Sequence, residues 1–153
     1  MADLEGARKA RHPDNFHKYR MMIACASVVV EAGKLLLVRD MHGFWAGVGG
    51  WVEAGERPDE AVLRELREEL GVGGEVTGVL HPHLVWRAEQ ATDDTGFLLF
   101  LYRVRLQTRE FTPQASEVTG VKWATPDDWA ELPMMPYVRV LLEERADEWL
   151  GAG

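Results

Sequence analysis

The apolar positions along the chain fall into short blocks with two different periods, and the blocks predict the elements. Ala24-Cys25-Ala26-Ser27-Val28-Val29-Val30 is almost wholly apolar and reads as a buried strand. Glu31-Ala32-Gly33 is a turn signal, and Lys34-Leu35-Leu36-Leu37-Val38-Arg39 reads as the returning strand of a hairpin. Apolar residues on consecutive positions, rather than alternate ones, imply strands covered on both faces. Asp40 to Gly43 is a loop. Short strands are expected near Trp45 to Val48 and Gly50 to Glu53. Later strands are expected at Glu75 to Leu80, at His83 to Trp86 continuing it beyond Pro82, at Gly96 to Leu106, and at Val118 to Trp123. Ala88 to Thr95 and Gln107 to Gln114 read as connections.

Other segments switch to helical spacing. From Pro58 to Leu70, Val62, Leu63, Leu66 and Leu70 form one apolar stripe. Pro58 suits a first helical position, where its missing N–H costs nothing. Asp59 and Glu60 in the first turn complement the helix dipole. Gly71 is the expected left-handed stop. Arg57 is a poor N-cap, so the cap must be satisfied by other groups. Thr125-Pro126 opens a short helix, and Pro136 opens a final one to about Leu150, with Val138, Leu141, Leu142 and Trp149 on its apolar face. A short helix is also expected at Leu4 to Ala10. The order of strands and helices predicts an α/β fold with a mixed (α+β) sheet and helices packed on it.

Composition narrows this picture. The 153 residues suit a single domain, expected over 21–153 behind a polar N-terminal arm at 1–20. The arm has no continuous apolar segment, and Met21 to Val30 is too short to cross a bilayer, so neither a signal peptide nor a membrane span is expected and the setting is read as cytoplasmic. The net charge of −8 argues against a nucleic acid polymer or an anionic membrane as partner. A nucleotide is still admitted if a metal bridges its phosphates. Cys25 stands alone in its apolar run, which fits a small core residue rather than a nucleophile.

The chemistry gathers in one acidic stretch. Glu65, Glu68 and Glu69 share a helix face beside the apolar stripe, where like charges repel. A solvated acidic face is the ordinary reading of such a pattern, with Arg64 and Arg67 neutralising it. Upstream, however, Gly49-Gly50 and Gly55 bracket Glu53 and Glu56, a glycine-permitted loop that delivers further carboxylates to the helix start. A hard divalent cation would relieve the repulsion, since it prefers oxygen ligands and accepts phosphate oxygens beside them.

Gly50, then Glu56, then Arg64-Glu65-Leu66-x-Glu68-Glu69-x-Gly71-Val72 resembles the complete Nudix box. The lead-in Phe44-Trp45-Ala46-Gly47-Val48-Gly49-Gly50 is similar to the family's usual approach, with Gly47-Val48 in place of Leu-Pro. The resemblance implies an α/β/α sandwich and a hydrolase that uses Mg²⁺, or Mn²⁺, to cleave a phosphoanhydride. It implies Glu65 and Glu69 as metal ligands, Glu68 as a ligand or the base, and Gly50 as a carbonyl ligand. Glu56 would meet the metal through water or fix the loop by pairing with Arg64 or Arg67. Arg64 would orient a glutamate. Glu117, ahead of a late strand, stands where some relatives keep a catalytic or metal-binding acid; a plain surface glutamate is the other reading.

The group beyond the phosphates is less defined. Trp86 and Phe97 are candidate pocket linings among several aromatics, which are more often core. Arg39, with Arg20 and Arg87, could meet phosphates. His81 and His83 alternate on an expected strand and could bind metal, although such pairs are more often structural. A nucleoside triphosphate, a nucleotide sugar or a similar small nucleotide fits as substrate, and a homodimer is admitted. Two other readings stay open: a Nudix-like module that binds a nucleotide without cleaving it, and an isomerase acting on a diphosphate, for which Cys25 is a poor catalytic residue.

Overall fold

The computed structural model describes residues 21–86 and 96–151, apart from the side chains of Met21 and Trp86. The arm at 1–20 with its expected helix, Arg20, Arg87 and the loop at 88–95 lie outside the described residues.

Two sheets form the middle layer. The first is mixed and runs in the order β5 (Gly49–Trp51), β1 (Met21–Val28), β8 (Gly96–Leu106), with β6 (Gly74–Val79) and β7 (His83–Trp86) both pairing antiparallel to β8. β1 and β8 make the parallel pair. The second sheet is antiparallel, with β3 (Lys34–Arg39) at its centre bonded to β2 (Val30–Glu31), β4 (Trp45–Ala46) and β9 (Gly120–Ala124). One core lies under α1 (Pro58–Leu70), among Val62, Leu66 and Leu70, Cys25 and Tyr102, and Leu36 and Val38. The other lies under α3 (Pro136–Leu150), where Val138, Leu141, Leu142 and Trp149 meet Ala24, Leu99, Leu101, Leu35 and Leu37. The layers are α/β/α. Burial of Leu35 through Val38 on consecutive positions follows from the cores on both sides.

The expected hairpin is only partly made. The apolar run divides at Val29: β1 belongs to the first sheet, and only Val30 and Glu31 pair with Leu35 and Lys34 of β3. The division follows from the two partners on offer, since Ser27 N–H donates to Val48 O and Leu36 N–H donates to Val29 O, one bond in each direction. Ala32 and Gly33 both take positive φ, +48° and +73°, as a two-residue turn of the right twist requires.

Helix α1 has the expected bounds, and Gly71 closes it at φ 69°. Its N-terminus is satisfied from inside the first turn: the Glu60 carboxylate accepts the Arg57 N–H at 3.0 Å. The strand expected at Val118 begins instead at Gly120, because Val118 N–H is held by Gln114 O in the preceding turn. Thr125 caps the short helix α2 (Pro126–Trp129) as expected. Helix α3 is kinked at Arg145 (φ −134°, ψ 26°). His81 precedes β7 rather than lying on a strand, so the two histidines do not share a strand face. No helix among the described residues is long and apolar enough to cross a membrane.

Candidate active site

Helix α1 carries its acids on the flank of a buried stripe. Val62, Leu66 and Leu70 are fully buried, and burying side chains of this size is worth roughly 1.5–3 kcal/mol each. That anchorage fixes the direction of Glu65 and Glu69, which are drawn partly under the protein, while Glu68 stays half exposed (side-chain exposure 51%). Glu69 reaches β5, where its Oε2 accepts the Gly49 N–H at 3.2 Å. Burial pushes the Glu69 carboxyl up to about 8, with the charge of Glu65 next in importance and the Gly49 hydrogen bond opposing both. Burial also raises Glu65, against the pull of Arg64.

Arg64 organises the remaining acids. Its Nε and Nη2 donate to the two Glu56 oxygens at 2.6 and 3.0 Å, a bidentate pair that ties the loop before α1 to the helix. The same guanidinium donates through Nη1 to Glu65 Oε1 at 2.9 Å and to Glu68 Oε2 at 3.1 Å, and through Nη2 to Trp51 O at 3.1 Å. Glu53 stands further off, at 3.7 Å. The pairing holds the Glu56 carboxyl below its usual range. Gly50 lets Glu65 lie against the β5 backbone, since a Cβ there would sit 2.5 Å from Glu65 Oε1.

The acids open onto a cleft of about 610 Å³. Glu69 and Glu117 line one end, together with Gly49, Gly50 and Asp40. Trp51, Phe97, Leu84, Val85 and Val140 make up its aromatic and aliphatic part, and Tyr137 lies between the two, its phenol within reach of the Glu69 and Asp40 charges. Trp51 and Tyr137 each meet Phe97 edge-on, with centroids 5.5 and 6.1 Å away and rings nearly perpendicular. The Gln107–Gln114 connection passes the end of α1, where Thr112 and Gln114 N–H donate to Leu70 O and Glu69 O, and so carries Glu117 to the acid end. There its charge raises both Glu65 and Glu69.

A family model described as the NUDIX domain matches residues 18–144. The chain belongs to the Nudix family. The CTP pyrophosphohydrolase of Escherichia coli is 30% identical over 129 residues, covering 81% of this chain and 90% of the relative. The NAD-capped RNA hydrolase NudC of Pseudomonas syringae is 28% identical over 144 residues, covering 91% of this chain but 49% of that protein, so the Nudix chain described here spans about half its length. A MutT Nudix hydrolase from Burkholderia pseudomallei, 22% identical, superposes with a TM-score of 0.70 over 82% of this chain and 98% of its own and has the same fold. The protein is a Nudix-type pyrophosphohydrolase.

The Nudix-box residues Gly50, Glu56, Arg64, Glu65, Glu68 and Glu69 come together as expected, and Arg64 makes both the orienting contacts and the i,i+4 pair with Glu68. Phe97 and Arg39 line the cleft. Arg39 is tied down: its Nε and Nη2 donate to Thr119 Oγ1 and O, both at 3.0 Å, and its guanidinium lies 5.6 Å over the Trp45 ring. The Trp86 side chain is outside the described residues. Tyr137 is a cleft residue that the sequence did not single out, and Trp51, one of the several tryptophans weighed as a stacking platform, also lines the cleft. Tyr137 follows a helix-opening proline with no local motif to mark it. Among the described residues, no three His, Cys, Asp or Glu side chains already converge as a cation cage. Arg64 holds Glu65 and Glu68, while Glu69 turns to Gly49.

Proposed function

We propose that this Nudix protein hydrolyses the phosphoanhydride of a small nucleotide, a nucleoside triphosphate or another nucleoside diphosphate derivative, with Mg²⁺ as its cation. The observation that carries the reading is the single cleft joining carboxylates to an aromatic chamber. The donor set fits a hard divalent ion: Glu65, Glu68 and Glu69 supply carboxylate oxygens and Gly50 a carbonyl, and the mutual repulsion of Glu65 and Glu69 is what such an ion relieves. When bound, the ion would neutralise phosphate oxygens and acidify water.

The chain's own groups do the rest. Arg64 fixes Glu56 against the loop and steers Glu65 and Glu68. Glu68, half exposed, or Glu117, exposed on the cleft, would take the proton of the attacking water. The aromatic chamber would hold the nucleoside.

One experiment tests this reading. The purified protein is given normal and oxidised nucleoside triphosphates, diphosphates, nucleotide sugars, ADP-ribose, NAD and dinucleoside polyphosphates, with Mg²⁺ and with excess chelator. Release of nucleoside monophosphate, pyrophosphate or phosphate only with Mg²⁺ is expected. Tight nucleotide binding with no product under either condition would overturn it.

A further inference from the structure

The register of the first sheet places four residues in one row across four strands. Trp51 on β5 pairs with Ala24 on β1, Ala24 pairs with Leu99 on β8, and Leu99 pairs with His83 on β7. Directly paired residues project to the same face, and all four line the cleft. Three strand spacings separate Trp51 from His83, about 14 Å between backbones. The middle of the row is low, with alanine and leucine as floor, and the ends rise as an indole and an imidazole. Phe97 and Val85, paired in the neighbouring row on the same face, extend the floor.

The polar side chains of this cleft are mostly committed. Asp40 Oδ1 accepts the N–H groups of His42 and Phe44 at 2.8 and 2.9 Å. Arg39 is bound to Thr119, and Glu69 to Gly49. Tyr137 is half-buried, and the charges that bear on its phenol are Glu69, Cys25 and Asp40, toward the acid end. The charges that bear on His83 are Arg145, Glu144 and His81, and together with burial Arg145 and His81 keep it neutral, so it offers one donor and one acceptor.

Its position is fixed from two sides. β7 pairs with β8 at Leu99. The preceding turn is clamped to the kink of α3, where Glu148 Oε1 accepts the His81 N–H at 2.9 Å and Arg145 Nη2 donates to His81 O at 2.7 Å. Arg145 and Glu148 are themselves paired at 2.6 Å.

We infer that His83 is the specificity-determining residue of the cleft, hydrogen-bonding the edge of a nucleobase whose ring rests on Phe97 and against Trp51. The inference rests on the nucleotide reading above and deepens it. Apolar walls tolerate any flat ring, and a single built-in donor–acceptor pair is what discriminates among rings of similar size. A polyhydroxylated sugar in the same chamber would leave most of its hydroxyls unpaired.

The test measures two readouts for the full chain and for His83→Ala, His83→Asn and His83→Gln: kcat and KM on ATP, GTP, CTP and UTP with Mg²⁺, and equilibrium binding of the four nucleoside monophosphates by tryptophan fluorescence. The parent is expected to favour one base at least tenfold in kcat/KM and in binding. His83→Ala is expected to bring the four bases within about threefold of one another, through KM rather than kcat, and one amide variant to restore part of the preference. Loss of turnover on all four bases in equal measure, an unchanged preference, or a parent indifferent to base overturns the inference. If no triphosphate is hydrolysed, the pyrophosphohydrolase reading fails, and base-dependent binding that His83→Ala flattens still upholds this role, while binding that ignores the substitution refutes it.

Discussion

The two ends of the cleft are built on opposite terms. The acid end is crowded with charge, and the acids of the loop and helix have named partners: Arg64 for Glu56, Glu65 and Glu68, the Gly49 N–H for Glu69. The aromatic end is held by packing and ring geometry, with Trp51, Phe97 and Tyr137 touching edge to face. Charged groups make the first end specific for a chemical step, because their interactions strengthen in a partly dry site and change when an ion or phosphate arrives. Apolar groups make the second end a matter of fit, where losses are smaller and fall on binding. Substitutions at one end should therefore move turnover, and at the other end affinity.

The largest effect belongs to the acid end. Glu69→Gln keeps the side-chain volume and the Gly49 hydrogen bond but loses the charge, and should lower kcat by roughly 10²–10⁴-fold. Its melting temperature in chelator should equal or exceed the parent's, because a buried, repelled carboxyl is removed. Arg64→Lys comes next. Lysine cannot grip Glu56 with two parallel hydrogen bonds while reaching Glu65 and Glu68, so turnover should fall about 10–100-fold, mostly in kcat. At the other end, Trp51→Ala should raise KM about tenfold with kcat changed less, a loss in the range of one base–aromatic contact. A Trp51→Ala variant that loses kcat as steeply as Glu69→Gln would erase the division.

The smallest effect is on stability. The Glu69 carboxyl stands at about 8 in the folded chain against an ordinary value of 4.5. Between those pH values the folded chain binds more protons than the unfolded one, so stability falls as pH rises through the window and levels off above it. Melting in chelator should therefore drop from pH 5 to pH 8, and Mg²⁺ should remove most of the drop. A flat melting profile in chelator would show that Glu69 is not held under repulsion.

The same division decides what could be read from the chain. The acid end is local: Pro58, Asp59, Glu60 and Gly71 bracket one helix within a few residues of its ends, and Glu56 to Glu69 all lie on or beside it. Gly96 to Leu106 was equally plain, because it is apolar throughout and then alternates. The aromatic end is not local. Trp51, Ala24, Leu99 and His83 become neighbours only through strand register across four separated segments, and no short-range signal encodes that register. The break of the first apolar run at Val29 was hidden for the same reason, since Val28 and Val30 look alike in sequence but have different partners. His83 was weighed as a metal ligand beside His81. In the fold only His83 lies on β7 and lines the chamber, while the His81 ring meets Pro82 O.

The central claim is that the α1 acids hold a divalent cation for catalysis. It is tested most directly by titrating Mg²⁺ calorimetrically into the parent and into Glu69→Gln at pH 7, in two buffers of different ionisation enthalpy, beside the rate of hydrolysis at each Mg²⁺ concentration. The parent should bind Mg²⁺ with proton release, its rate should follow occupancy, and Glu69→Gln should lose both. Equal Mg²⁺ binding and equal turnover by the two proteins would contradict the claim.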